Sequence, residues 1–169
     1  MQGCVDRLNN KVEPILFQAV EEGLLSAATV VKHSNKLACL IEHMEMIFPE
    51  KKGKGKKKAP AATQIVFQVE DCEDAKLTKR IKCDYLVFLH DTHHVYLYKD
   101  GIIISRFQLK DYDLAVISYI SLFYVLDQYY PNSHKIGLEV LQRLVLMDSA
   151  STITEQTKER IEKLEKFLE

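Results

Sequence analysis

Residues 83–107 read CDYLVFLHDTHHVYLYKDGIIISRF, and this stretch decides the fold. It contains three runs rich in β-branched and aromatic residues, which are typical of strands: Cys83 to Leu89, His94 to Tyr98 and Ile102 to Phe107. Asp100-Gly101 separates the last two runs and favours a two-residue hairpin, because both turn positions need a positive φ. The connections are far too short for parallel crossovers, which need a dozen residues or more. We therefore expect antiparallel pairing.

The sequence on either side of this stretch completes the sheet and covers it. Upstream, Ile65, Phe67 and Val69 recur with a period of two, which predicts a first strand. Downstream, Leu114 to Tyr130 is apolar around nearly its whole circumference, which is typical of a helix buried by neighbours on several sides. The predicted fold class is α+β, with a four-stranded antiparallel sheet that packs one face against this buried helix.

Two helices are expected before the sheet. The first begins near Val12, with Pro14 in its first turn, where the missing N–H would be unpaired in any case. The second follows Ser26 and ends at Pro49. We interpret Cys39, beside the apolar face of this second helix, as a buried structural residue.

The C-terminal residues predict two more helices and a candidate partner-binding surface. An apolar stripe from Ile136 to Val145 indicates one helix, and the capping box Thr152-x-x-Glu155 predicts the start of the last one. That last helix carries a narrow apolar stripe made of Ile161, Leu164, Phe167 and Leu168. The stripe can dock on the body of this domain or into the groove of a partner protein.

The composition is that of one ordinary globular domain, residues 1–169. The chain is 47% hydrophobic, and 23 basic and 24 acidic side chains leave a net charge of −1. A chain of this length can bury a core without disulfides or metal ions, and its four cysteines form no C-x-x-C pair. Because no run of 18 apolar residues and no secretory signal pattern occurs, we expect an intracellular protein, cytoplasmic or nuclear, without a membrane span.

One local cluster of charge lies in a flexible loop that we predict over residues 50–62. The cluster consists of Lys51, Lys52, Lys54, Lys56, Lys57 and Lys58. Their positive potential would attract the phosphates of RNA, DNA or acidic lipid within a Debye length of about 8 Å. The same run is compatible with a nuclear-import signal or with a loop that is merely solvated. No aromatic residue is interleaved to stack on bases, so nucleic-acid binding here would be independent of base sequence.

The segment His90-Asp91-Thr92-His93-His94 is the candidate for catalysis or metal binding. Imidazole and carboxylate groups in a hairpin loop can ligate a transition metal or act as acid and base. However, adjacent residues of an extended strand point to opposite faces, and Asp91-Thr92 is an ordinary tight-turn sequence. No zinc motif, nucleophile elbow or phosphate-binding glycine loop is present. The sequence therefore favours a protein that is not an enzyme and has no catalytic residues, metal or cofactor.

These observations predict a non-catalytic protein-interaction or assembly module that binds a protein partner or itself. One alternative is a nucleic-acid-associated protein that binds phosphate non-specifically through the lysine-rich loop. A second alternative is a metal-dependent enzyme built on the loop from His90 to His94. No small-molecule substrate is evident from the sequence.

The order of features in the second half of the chain resembles a known module. A short β-meander is followed by a buried helix that ends in Tyr129-Tyr130-Pro131 and by the helix LEVLQRLVL, Leu138 to Leu146. The segments 12–16 (VEPIL) and Lys36-Leu37 are also similar to what precedes that module. The chain resembles the C-terminal module of large, mostly uncharacterised animal proteins, abundant in fishes and labelled sterile-alpha-motif-domain-containing-like, with Phe123 to Pro131 as the most specific stretch. No sterile alpha motif is visible here, and the resemblance implies a mixed helical and β module without a catalytic motif.

Overall fold

The computed structural model describes residues 2–50, 63–70, 81, 83–126, 128–147 and 152–168. Residue contacts group the chain into two compact units. The helical unit comprises Met1–Thr63 and Pro131–Glu169, and the sheet unit comprises Gln64–Tyr130. The single domain over residues 1–169 stays a prediction. Residues 51–62 of the predicted lysine-rich loop lie outside the described residues.

Helices and a four-stranded sheet make up the described structure, which confirms the α+β class. The strands are β1 (Val66–Gln68), β2 (Val87–His90), β3 (His94–Lys99) and β4 (Ile102–Gln108). The helices are α1 (Gln2–Glu21), α2 (Ala27–Lys32), α3 (Lys36–Glu42), α4 (Met44–Ile47), α5 (Tyr112–Val125), α6 (Lys135–Leu141) and α7 (Glu155–Leu168). One 3₁₀ turn, Leu109–Asp111, precedes α5, and a π turn, Gln142–Leu146, continues α6.

The sheet has the strand order β1-β2-β3-β4 and is mixed. The hairpin between β3 and β4 is confirmed: Asp100 and Gly101 both have positive φ, 50° and 86°. The prediction that all strands are antiparallel was wrong, because β1 pairs with β2 in parallel and places Val66 opposite Phe88. The chain between these two strands, residues 69–86, exceeds the dozen residues that a parallel crossover needs.

Helix α5 packs on one face of the sheet, as the sequence predicts. The ring of Tyr119 stacks on that of Phe88 with centroids 4.3 Å apart, and its hydroxyl donates to the carbonyl oxygen of Leu86 at 3.0 Å. Burial raises the pKa of this phenol. The helix ends at Val125 rather than at Tyr130, because the Gln128 amide donates to the Phe123 carbonyl oxygen and closes its last turn.

The N-terminal helices differ from the expected pair. Helix α1 begins at Gln2 and has Pro14 in its interior, so the first-turn position predicted for Pro14 was wrong. The helix tolerates this proline because its long apolar face, which also carries Val5 and Leu8, is buried along the whole helix. The second expected helix is divided into α2, α3 and α4, since the Asn35 side chain accepts the Ala38 amide and caps a new helix start.

Helices α6 and α7 are the expected C-terminal pair. The cap of α7 is Thr154 rather than Thr152: its hydroxyl accepts the backbone N–H of Thr157 at 3.2 Å. The buried carboxylate of Glu139 on α6 accepts the backbone N–H of Thr154 and the hydroxyl of Thr157, which ties the start of α7 to α6. Helix α6 approaches α4 closely, with Met44 and Phe48 packed against Gly137.

Hydropathy along the helices bears on membrane insertion. Within the part of the chain that the structure describes, no helix combines the length and the apolar character that crossing a membrane requires.

Candidate functional site

The apolar stripe of the last helix is divided into a buried and an exposed part. Leu164 is 0% and Ile161 is 8% exposed, because α7 packs against α1 and α6. Phe167, one turn further, is 41% exposed. The side chain of Leu168 lies outside the described residues. Ile161 and Leu164 therefore belong to the core of the helical unit. The role of the stripe as a partner-binding surface stays a prediction, and in the folded protein it can hold only around Phe167.

Phe167 borders an apolar groove in the helical unit. Its ring lies 5.7 Å from that of Phe17 on α1, centroid to centroid. The groove has a volume of about 680 Å³ and lies among α1, α2 and the end of α7. It is lined by Glu13, Pro14, Leu16, Phe17, Val20, Ala27, Val30, Val31, Lys36 and Phe167. Sequence reasoning found Phe167 but missed the other side of the groove.

Large apolar side chains at this groove are open to solvent. Phe17 is 58% exposed and Val31, on α2, is 78% exposed. The charged residues of the lining are Glu13 and Lys36. The Lys36 ammonium donates to the carbonyl oxygens of Val30 at 2.6 Å and His33 at 3.1 Å, so it holds the end of α2 against the start of α3. The groove thus presents an apolar surface on walls that polar contacts hold in place.

The histidine loop of the sheet unit divides its histidines between the two faces of the sheet, although Nδ1 of His94 lies 3.7 Å from Oδ1 of Asp91. His90 lies in β2, on the face that α5 covers, with its ring 5.3 Å from that of Tyr112. His94 shares the opposite face of the sheet with Tyr96, since the side chains of a strand alternate. Asp91 accepts the backbone N–H groups of His93 and His94 at 2.8 and 2.7 Å, as an ordinary tight turn does. Among the described residues of this loop, no three ligand atoms lie close enough together to hold one ion. A metal-dependent enzyme built on the loop stays a prediction.

Three donors that the sequence did not single out as a group lie together in the helical unit. The candidate ligand atoms of His33, Cys39 and His43 are all within 4.8 Å of one another. Among the described residues, these three form the one group of at least three donors that could hold a metal ion. Hydrogen bonds to the Thr29 carbonyl and to the Glu42 carboxylate raise the pKa of His33. Burial raises the pKa of the Cys39 thiol, which has no exposed surface, as its interpretation as a buried residue requires.

Comparison with known proteins adds no relative from which a site can be transferred. No family model, curated protein or solved structure matches the chain. The resemblance to sterile-alpha-motif-domain-containing-like proteins therefore stays a prediction, and the geometry carries the functional argument.

Proposed function

We propose that the protein is a non-catalytic protein-interaction module whose groove binds one amphipathic helix of another protein. The observation that carries this proposal is the exposure of Phe17, Val31 and Phe167 around a single groove of about 680 Å³. Scattered exposed apolar residues are normal in soluble proteins, whereas grouped ones that line a groove mark interaction sites.

The composition of the groove favours an apolar segment over a charged ligand. Glu13 and Lys36 contribute one negative and one positive side chain to the lining, so the groove selects neither anions nor cations by net charge. Phenylalanine rings that border a groove act as anchors when a partner excludes water from them. The chief driving force is burial of apolar surface, at about 25 cal/mol per Å² before the costs of association.

A helix suits this groove better than an extended strand. The groove is formed by helices, and α1 and α2 offer side chains rather than unpaired backbone groups. An extended peptide gains affinity mainly through main-chain hydrogen bonds to a strand edge, which these walls lack. An amphipathic helix instead presents apolar side chains at i, i+3 or i+4 and i+7, which fill such a groove without main-chain pairing.

Photo-crosslinking from the groove tests the proposal. A photoreactive phenylalanine analogue replaces Val31 in the full chain, and the same analogue at Ile102, an exposed residue of the sheet unit, is the matched control. The proposal expects a covalent adduct with a second protein from position 31 only, with the crosslink mapping to an amphipathic helix. Phe17→Ser should reduce the adduct at least tenfold. Adducts between two copies of this chain, or equal adducts from both positions, would overturn it.

A further inference from the structure

His33, Cys39 and His43 come together because the chain reverses between two short helices. His33 caps the C-terminus of α2, Asn35 caps the N-terminus of α3, and His43 follows the last residue of α3. Cys39 and His43 are four residues apart and share one face of α3. The chain reversal at 33–35 brings His33 to the same face, where its ring lies 5.3 Å from that of His43 in an edge-to-face arrangement.

Both imidazole rings are held in the orientation that metal-binding histidines adopt. Nδ1 of His33 donates to the Thr29 carbonyl oxygen at 2.9 Å, and Nδ1 of His43 donates to the Cys39 carbonyl oxygen at 3.0 Å. A histidine that ligates a metal commonly donates its other ring N–H to a backbone carbonyl, which fixes the tautomer and the ring orientation. In both residues this leaves Nε2 as the ligand atom.

A carboxylate lies beside the three donors. Oε2 of Glu42 accepts a hydrogen bond from Nε2 of His33 at 3.1 Å. A metal ion would take the place of the shared proton on this Nε2, and the negative charge of Glu42 would then stabilise the bound cation.

We propose that Nε2 of His33, Sγ of Cys39 and Nε2 of His43 bind a divalent transition-metal ion, of which zinc fits best. One thiolate and two imidazoles are borderline-soft ligands, which suit zinc and not calcium or magnesium. Ligand atoms of a tetrahedral zinc ion lie about 3.3–3.6 Å apart. One ring nitrogen of each histidine and Sγ of Cys39 lie within 4.8 Å of one another, so small side-chain shifts of about 1 Å bring three donors to this spacing. On binding, the Cys39 thiol and Nε2 of His33 each lose a proton to solvent, and the sulfur–metal and nitrogen–metal bonds form in their place.

The metal would cross-link two helices. His33 lies at the end of α2, whereas Cys39 lies in α3 and His43 directly follows it, so the ion would add a third link to those that Lys36 and Glu42 already make between the two helices. This inference does not depend on the proposed function, because it concerns a set of ligands outside the groove lining.

Cobalt titration of the full chain tests the site. Cobalt(II) replaces zinc in such sites and gives a thiolate-to-cobalt charge-transfer band, which reports a bound cysteine directly. We expect one cobalt per chain, displacement by zinc, and loss of the band in Cys39→Ala. Cys83→Ala, which removes a cysteine of the sheet unit, is the matched control and should keep the full band. A wild-type chain without the band, or a band that survives Cys39→Ala, would overturn the proposal.

A second variant guards against an effect of misfolding, because Cys39 is fully buried. His33 has a partly exposed side chain, so His33→Ala should keep the circular dichroism of the wild type and weaken cobalt binding at least tenfold. His93→Ala, in the exposed loop of the sheet unit, should bind cobalt as the wild type does. Equal affinities of His33→Ala and His93→Ala would contradict the assignment.

Discussion

Leu164 and Phe167 are one turn apart on α7, but the first is completely buried and the second is 41% exposed. Leu164 lies where α7 packs against α1 and α6, and Phe167 lies near the end of α7, beside the ring of Phe17. One apolar stripe therefore has two parts with different surroundings. Its inner part stabilises the fold, and its outer part is the surface that the proposed function assigns to a partner.

The largest effect on stability is expected where the stripe is buried. Leu164→Asp places a charge in the core of the helical unit, and we expect it to lower the free energy of unfolding by about 4 kcal/mol or more, because an unpaired buried charge is not compensated. Urea unfolding followed by circular dichroism measures this loss. Phe167→Asp is the matched control and should lose less than about 1 kcal/mol. Equal losses of unfolding free energy in the two variants would contradict the division of the stripe into a buried and an exposed part.

The packed part of the helical unit also holds a buried histidine that titrates. Burial lowers the pKa of His134 to about 4. The Thr63 amide donates to the Ser133 hydroxyl, which lies 2.8 Å from Nδ1 of His134 and can donate its own hydrogen only to the neutral ring. In the unfolded chain the pKa is about 6.5, so the unfolded state binds more protons between pH 6.5 and 4, and stability falls as the pH falls through this window.

This linkage amounts to about 3 kcal/mol over the window, at 1.36 kcal/mol per pKa unit. Between pH 7 and pH 4, the free energy of unfolding of the wild type should therefore fall by about 3 kcal/mol more than that of His134→Gln. Parallel pH profiles for the two proteins would show that His134 is protonated equally in both states.

A smaller effect is expected where two helices of the packed region meet. A Cβ atom on Gly137 would lie 2.3 Å from Cγ of Met44 and 2.8 Å from Cδ2 of Phe48, which is closer than real contacts allow. Gly137→Ala should therefore lower the free energy of unfolding by about 1–3 kcal/mol, in spite of the better helix propensity of alanine. Thermal unfolding measures it, and Gly3→Ala, in α1, is the control that should be neutral or stabilising. A stabilised Gly137→Ala would show that Met44 moves away at no cost.

The sheet unit shows what periodicity predicts well and what it misses. The Asp100-Gly101 hairpin and the covering helix follow from short-range signals, namely turn conformation and an apolar circumference. The direction of β1 was missed, because alternation reveals the face of a side chain and not the direction of a strand. That direction depends on the long connection over residues 69–86.

The two regions with several histidines differ in how visible they are in the sequence. Ligand residues that are adjacent in sequence are easy to see, whereas ligand residues that only the fold brings together are not. His90 and His94 are close in sequence, but the strand pleat puts them on opposite faces of the sheet. On one continuous helix His33 and His43 would be about 15 Å apart along the axis, at 1.5 Å per residue. Only the break capped by Asn35 brings them together, and that cap was not recognised in the sequence.

The groove could not be predicted from short-range sequence patterns, for a different reason. Phe17 and Phe167 lie near opposite ends of the chain, so no period or spacing relates them. Their proximity results from packing of α7 against α1. The sequence could indicate that α7 has an apolar stripe, but not which residue of the stripe the rest of the helical unit leaves uncovered.

The smallest effect on stability is expected at Phe167, where a substitution tests most directly whether the groove binds a partner helix. Phe167→Ser removes a ring that is 41% exposed and should change the free energy of unfolding by less than about 1 kcal/mol. The measurement is calorimetric titration of the helix identified by crosslinking into the wild type, Phe167→Ser and Ile102→Ser. We expect a Kd at least tenfold higher for Phe167→Ser and an unchanged Kd for Ile102→Ser. A Kd that is the same for all three proteins would contradict the claim that this groove binds the partner.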